Sequence, residues 1–90
     1  MRLFALAALI ASPAFASSDD AWAQFRVDVG AACLALVQGP GTATIEVNNF
    51  GSESYGVALV TLTSTEGQDR MVCIYDKASK KAELSAAFGQ

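Results

Sequence analysis

The feature that most narrows the possible folds is a pair of cysteines, Cys33 and Cys73, the only two in the 90 residues. Cys73 is central to Arg70-Met71-Val72-Cys73-Ile74-Tyr75-Asp76, a run rich in the residue types that suit a strand. Cys33 falls in a stretch with helical spacing. A bond between the two would pin a helix across a sheet.

Whether such a bond forms depends on the compartment, and the first sixteen residues bear on that. Met1-Arg2 precede an apolar run from Leu3 to Ala11, followed by Pro13 and Ala14-Phe15-Ala16. A positive start, a short apolar stretch and a small-x-small end predict a secretory signal peptide over 1–16, cleaved after Ala16. The run is shorter than the roughly 20 residues of a membrane-spanning helix, so no membrane association is expected after cleavage. No cysteine follows closely enough to carry a lipid. The alanine content points to a bacterial source, hence to a periplasmic or extracellular location, where cysteines pair.

Residues 17–90 are then expected to form one small domain. A core of that size supplies only about 3–5 kcal/mol. Closing a loop of about 40 residues contributes roughly 3.9 kcal/mol in the chain-entropy treatment, so the cross-link rivals the whole net stability. The competing uses of two thiols fit poorly. There is no Cys-x-x-Cys for redox exchange and no histidine to complete a zinc site, and neither metal nor cofactor is expected.

Along the exported part, Ser18-Asp19-Asp20 reads as a helix start, with a capping side chain and acids at the positive end of the dipole. Trp22, Phe25, Val29, Ala32, Cys33 and Leu36 recur at spacings of three and four and share one face. Gly39-Pro40-Gly41 is the stop signal. From Thr42 the period changes to two: Thr42, Thr44, Glu46 and Asn48 alternate with Ala43, Ile45 and Val47. Asn49 to Glu53 reads as a loop, Tyr55 to Thr63 as a long strand and Glu66-Gly67 as a hairpin tip. Arg70 to Asp76 is the third strand, Lys77 to Lys80 a turn, Lys81 to Ala86 the fourth strand, and Phe88 begins a short tail. The expected fold class is α+β: one N-terminal helix packed on a four-stranded antiparallel β-meander.

Register follows from the two tips. A two-residue Glu66-Gly67 loop sets Val60 opposite Cys73, and a four-residue second turn sets Cys73 opposite Leu84. Both choices place Ala58, Val60, Leu62, Met71, Cys73, Tyr75, Ala82 and Leu84 on one side, where the helix must lie. Two separate inferences agree on that face. The other face is wet on the fourth strand, with Lys81, Glu83 and Ser85, yet apolar at its centre, with Val57, Leu59, Val72 and Ile74. One helix cannot cover both sides, and contiguous exposed apolar surface usually marks contact with something. The alternative is that the Phe50 loop or the Phe88 tail folds over it.

Little in the chain points to catalysis. Absence of histidine removes the commonest general base and every Ser–His or Cys–His arrangement. Asp19 and Asp20 are explained by a helix cap, and the remaining acids are scattered. Gly39-Pro40-Gly41 precedes a strand rather than opening a helix, so it is no phosphate loop. Once Arg2 leaves with the leader, five basic residues face nine acidic ones, a net charge near −4. That balance disfavours nucleic acid, which needs clustered Lys and Arg, and Lys77, Lys80 and Lys81 read as a solvated hairpin tip. The expected function is therefore a small exported, non-catalytic protein-interaction domain. It would use Val57, Leu59, Val72 and Ile74 on a protein partner or a second copy of itself. The alternative is an enzyme inhibitor or small-ligand binder acting through the Asn49–Tyr55 loop with Phe50 and Tyr55, since aromatics among small polar residues make recognition loops.

Overall fold

A computed structural model describes residues 18–89; the signal peptide expected over 1–16 lies outside the described residues. The elements are α1 (Asp19–Leu34), β1 (Thr42–Val47), β2 (Tyr55–Ser64), β3 (Gly67–Asp76) and β4 (Ala82–Leu84). The four strands form one antiparallel sheet in the order β1-β2-β3-β4, and α1 packs on one side of it. This is the α+β meander that the sequence periods predict.

Helix α1 begins as its residues dictate. Ser18 has extended backbone and its Oγ accepts from the Ala21 amide at 3.0 Å, while Asp19 and Asp20 occupy the first turn. The other end differs from expectation. The helix stops at Leu34, and the Leu36 and Val37 amides donate to the carbonyls three residues back, at 3.1 and 3.2 Å. Such tight turns satisfy the last carbonyls of a helix. They swing Leu36 outward, leaving it exposed, and set Val37 against the core instead. Gly39-Pro40-Gly41 belongs to the connector, not to the helix end.

The β2–β3 hairpin also corrects the expected register. Ser64 pairs with Gly67, so the tip is Thr65-Glu66, and Ala58 rather than Val60 lies opposite Cys73. Gly67 has φ +124° and takes the left-handed backbone that neither Thr65 nor Glu66 adopts. The shift is two residues, and an even shift leaves every side chain on its expected face. The β3–β4 register is as expected, with Cys73 opposite Leu84. Strand β4 is shorter than predicted, and the tail is not loose: Phe88 donates its amide to the Arg70 carbonyl at 2.7 Å and bridges to β3.

The core lies between α1 and the sheet. Val29, Cys33, Ala58, Val60, Cys73 and Tyr75 are buried, with Phe25, Ile45, Val47 and Leu84 packed around them. Cys33 and Cys73 are bonded, with Cα atoms 5.9 Å apart. Among the described residues, two of the six buried hydrophobic side chains are thus the cross-link itself, which makes it the centre of the core. Gly56 lets the layers approach, because a Cβ there would stand 2.8 Å from Val29 Cγ2 and 3.0 Å from Phe25 Cζ. It is a packing glycine inside β2, not a turn residue.

Candidate interaction surface

The face of the sheet away from α1 can be laid out from the strand registers. On β2 it carries Tyr55, Val57, Leu59 and Thr61; their partners on β3 are Asp76, Ile74, Val72 and Arg70. Glu46 of β1 flanks Leu59, and Glu83 of β4 flanks Ile74. Because paired residues of an antiparallel sheet point to the same side, Phe88, opposite Arg70, joins this face too. An apolar strip therefore runs obliquely across the two central strands from Tyr55 to Phe88, with charged and polar residues along both margins.

All four residues singled out on the sheet are brought together. Val57 and Val72 are half-buried by their neighbours, while Leu59 is 52% and Ile74 44% exposed. The strip is longer than the sequence shows. Tyr55 opens β2 and extends it at one end, and Phe88, 53% exposed, extends it at the other beside Leu59 and Val72. Phe88 was legible only as a tail, because its placement depends on a single bridge to Arg70. Leu59 keeps half its surface in spite of that neighbour, so the tail borders the strip and does not cover it.

The two loop aromatics are not brought together. Phe50 turns to the helix side, where its ring meets Trp22 edge-on at 4.9 Å; Trp22 in turn meets Phe25 at 5.4 Å. Tyr55 is on the opposite side of the sheet. The loop between β1 and β2 is held by its own polar residues. Asn48 Oδ1 accepts from the amides of Phe50 and Gly51 at 3.2 and 2.8 Å, and Ser52 Oγ accepts from the Tyr55 amide at 3.0 Å. The amide and hydroxyl groups that made this stretch look like a recognition loop are largely engaged in building it.

Lys77, read from sequence as part of a solvated tip, is a clamp. Its Nζ donates to the carbonyls of Phe50 and Ser52 at 3.1 and 2.6 Å and stands 5.3 and 5.0 Å from the Trp22 and Phe25 ring centroids. The ammonium is thus satisfied by carbonyl oxygens and by aromatic faces. A shallow hollow beside it is lined by Trp22, Phe25, Asp28, Tyr75 and Lys80. Burial, and secondarily the Asp28 carboxylate, push the Tyr75 phenol above its ordinary value. Among the described residues no three His, Cys, Asp or Glu side chains converge as a metal cage would require. No known protein family, curated protein or solved structure matches this chain.

Proposed function

We propose that this chain is a small exported, non-catalytic protein-interaction domain of bacterial type, working in the periplasm or the external medium. The observation that carries this reading is the uncovered apolar strip, in which Leu59 and Ile74 stay about half exposed at the middle of the sheet. A core of six buried side chains has little apolar area to spare, so leaving such residues in water favours a surface that is used. The leader-like residues 1–16 support export. The Cys33–Cys73 bond is compatible with an oxidising compartment. Lack of histidine and the dispersed carboxylates support a role in binding rather than catalysis.

An inhibitor or small-ligand role through the Asn49–Tyr55 loop is the weaker reading, because Phe50 and Tyr55 face opposite sides. The two readings part in one experiment. A photo-crosslinking side chain at Leu59 is expected to capture a partner, and the same group at Gln24, on the exposed flank of α1, is expected to capture none. Capture from Phe50 but not from Leu59 would overturn the sheet-face reading. Recovery of a product whose mass begins at Ser17 checks export.

A further inference from the structure

We infer that the occupant of the open sheet face is a second copy of this chain, docked face to face about a two-fold axis running along the strands between β2 and β3. The inference rests on the interaction-domain reading and adds the identity of the partner. Its first support is that the strip is self-complementary. Val57 is opposite Ile74, and Leu59 is opposite Val72, so the apolar centre is a block of four straddling β2 and β3. Such an axis exchanges the two strands. It lays Val57 and Leu59 of one copy on Ile74 and Val72 of the other, the reciprocal contact that an isologous interface requires, in the aligned packing of a β-sandwich.

The second support is charge. The same operation carries β1 over the β4 side of the partner copy. Glu46 then falls over Ser85 beside Arg70 of the second copy, and Glu83 falls over Asn48, so no like charges are opposed. Within one copy Arg70 and Glu46 line one hollow beside Leu59, with no hydrogen bond or ion pair joining them among the described residues. Both can be drawn on to bridge the two copies, twice by symmetry.

Area sets the strength. Strands of six, ten, ten and three residues, rising about 3.3 Å per residue and spaced about 4.8 Å apart, outline roughly 460 Å² per copy and ~900 Å² for the pair. Such an area is that of a weak, transient contact and falls well short of the roughly 2,000 Å² and more that obligate dimers bury. The dimer is therefore weak and readily reversible.

Sedimentation equilibrium on the disulfide-bonded product from about 1 µM to 1 mM tests this. A monomer–dimer equilibrium is expected, abolished by Leu59→Lys and equally by Ile74→Lys, with circular dichroism confirming that each variant is folded. Arg70→Glu is expected to weaken the dimer at least about tenfold, and Glu46→Arg with Arg70→Glu to return it to within about threefold of the starting chain. A chain that stays monomeric throughout overturns the inference. So does a dimer that Leu59→Lys leaves intact, as pairing of the β1 edges would, and so does a charge swap that fails to rescue. Crosslinks from Leu59 that reach only a foreign protein overturn the second copy while upholding the interaction-domain reading; absence of any crosslink from Leu59 removes both.

Discussion

At the residue scale, two glycines that look alike in the sequence have opposite roles, and the difference can be measured. Gly30 sits inside α1, where a Cβ would meet only Val47 Cγ2, at 3.7 Å, an ordinary contact. Glycine there costs helix stability without any space being needed, so Gly30→Ala is expected to stabilise by about 0.5–1 kcal/mol. In a domain this small that raises the melting temperature by about 2–8 °C. Gly56 has no such room beneath Val29 and Phe25. Gly56→Ala is expected to cost about 1–3 kcal/mol, the usual penalty of overpacking. Thermal melts of the two variants should move in opposite directions; a shared direction would mean that the helix-to-sheet spacing adapts freely. Tyr75 supplies a pH signature. Its phenol is raised from 10.0 in the folded chain by burial and the Asp28 charge. An acid held protonated by folding contributes full stability below the unfolded value. That contribution is lost as pH rises from about 10 through the folded value, because the unfolded chain ionises first. Urea midpoints between pH 9 and 11 should therefore fall less steeply for Tyr75→Phe than for the parent, and parallel profiles would show that the phenol is not what folding protects.

At the scale of elements, what could be read from the sequence was parity, and what could not was anything that an even shift or a distant contact decides. The alternation in Tyr55–Ser64 and Gly67–Asp76 assigns every side chain to a face, and that assignment survives a two-residue change of register. Hence the disulfide, the helix-covered side and the Val57, Leu59, Val72 and Ile74 strip were all legible. The hairpin tip was not, because Glu66-Gly67 and Thr65-Glu66 present the same faces; only the need for a left-handed residue after the tip selects Gly67. The helix end was obscured by Gly39-Pro40-Gly41, a stronger local signal than the tight turn at Leu36 and Val37, which is set by where Val37 packs. Lys77 was invisible for another reason. The carbonyls it joins are 25 and 27 residues away in the chain, and no local pattern reports a contact of that range. Its role is testable. Lys77→Met keeps the stem and removes the ammonium, so the loop from Asn48 to Ser54 should loosen. A loss of about 1 kcal/mol is expected from partly exposed, charge-assisted bonds. Hydrogen exchange should quicken at the Ser52 and Gly51 amides and stay unchanged at Val60 and Cys73 in the sheet. Unaltered exchange at Ser52 would show that Asn48 and its neighbours hold the loop unaided.

For the whole molecule, one covalent bond has to compensate for a small core. Stabilities of natural domains run at about 0.05–0.15 kcal/mol per residue, which for the described 72 residues gives roughly 4–11 kcal/mol. Opening the Cys33–Cys73 loop of 40 residues removes about 4 kcal/mol in the chain-entropy treatment, and the paired replacement Cys33→Ala with Cys73→Ala leaves a small cavity in the core that holds Val29 and Val60. That variant is expected to be largely unfolded at 37 °C and, where it still folds, to show a larger urea m-value, since its unfolded chain is no longer held in a loop. An unchanged m-value with a lower midpoint would place the effect in the folded core instead. The proposed second copy would bind only the folded face, and mass action would then couple this deficit to assembly: stability should rise with protein concentration by RT ln(1 + [L]/Kd) for the partner copy. Raising the concentration a hundredfold across the dissociation constant of the proposed dimer should restore up to about 2.7 kcal/mol to the cysteine-free chain, and Leu59→Lys in the same background should abolish the concentration dependence. A urea midpoint for the cysteine-free chain that ignores concentration would show that the sheet face contributes nothing to holding the fold together, and that the bond between α1 and β3 acts alone.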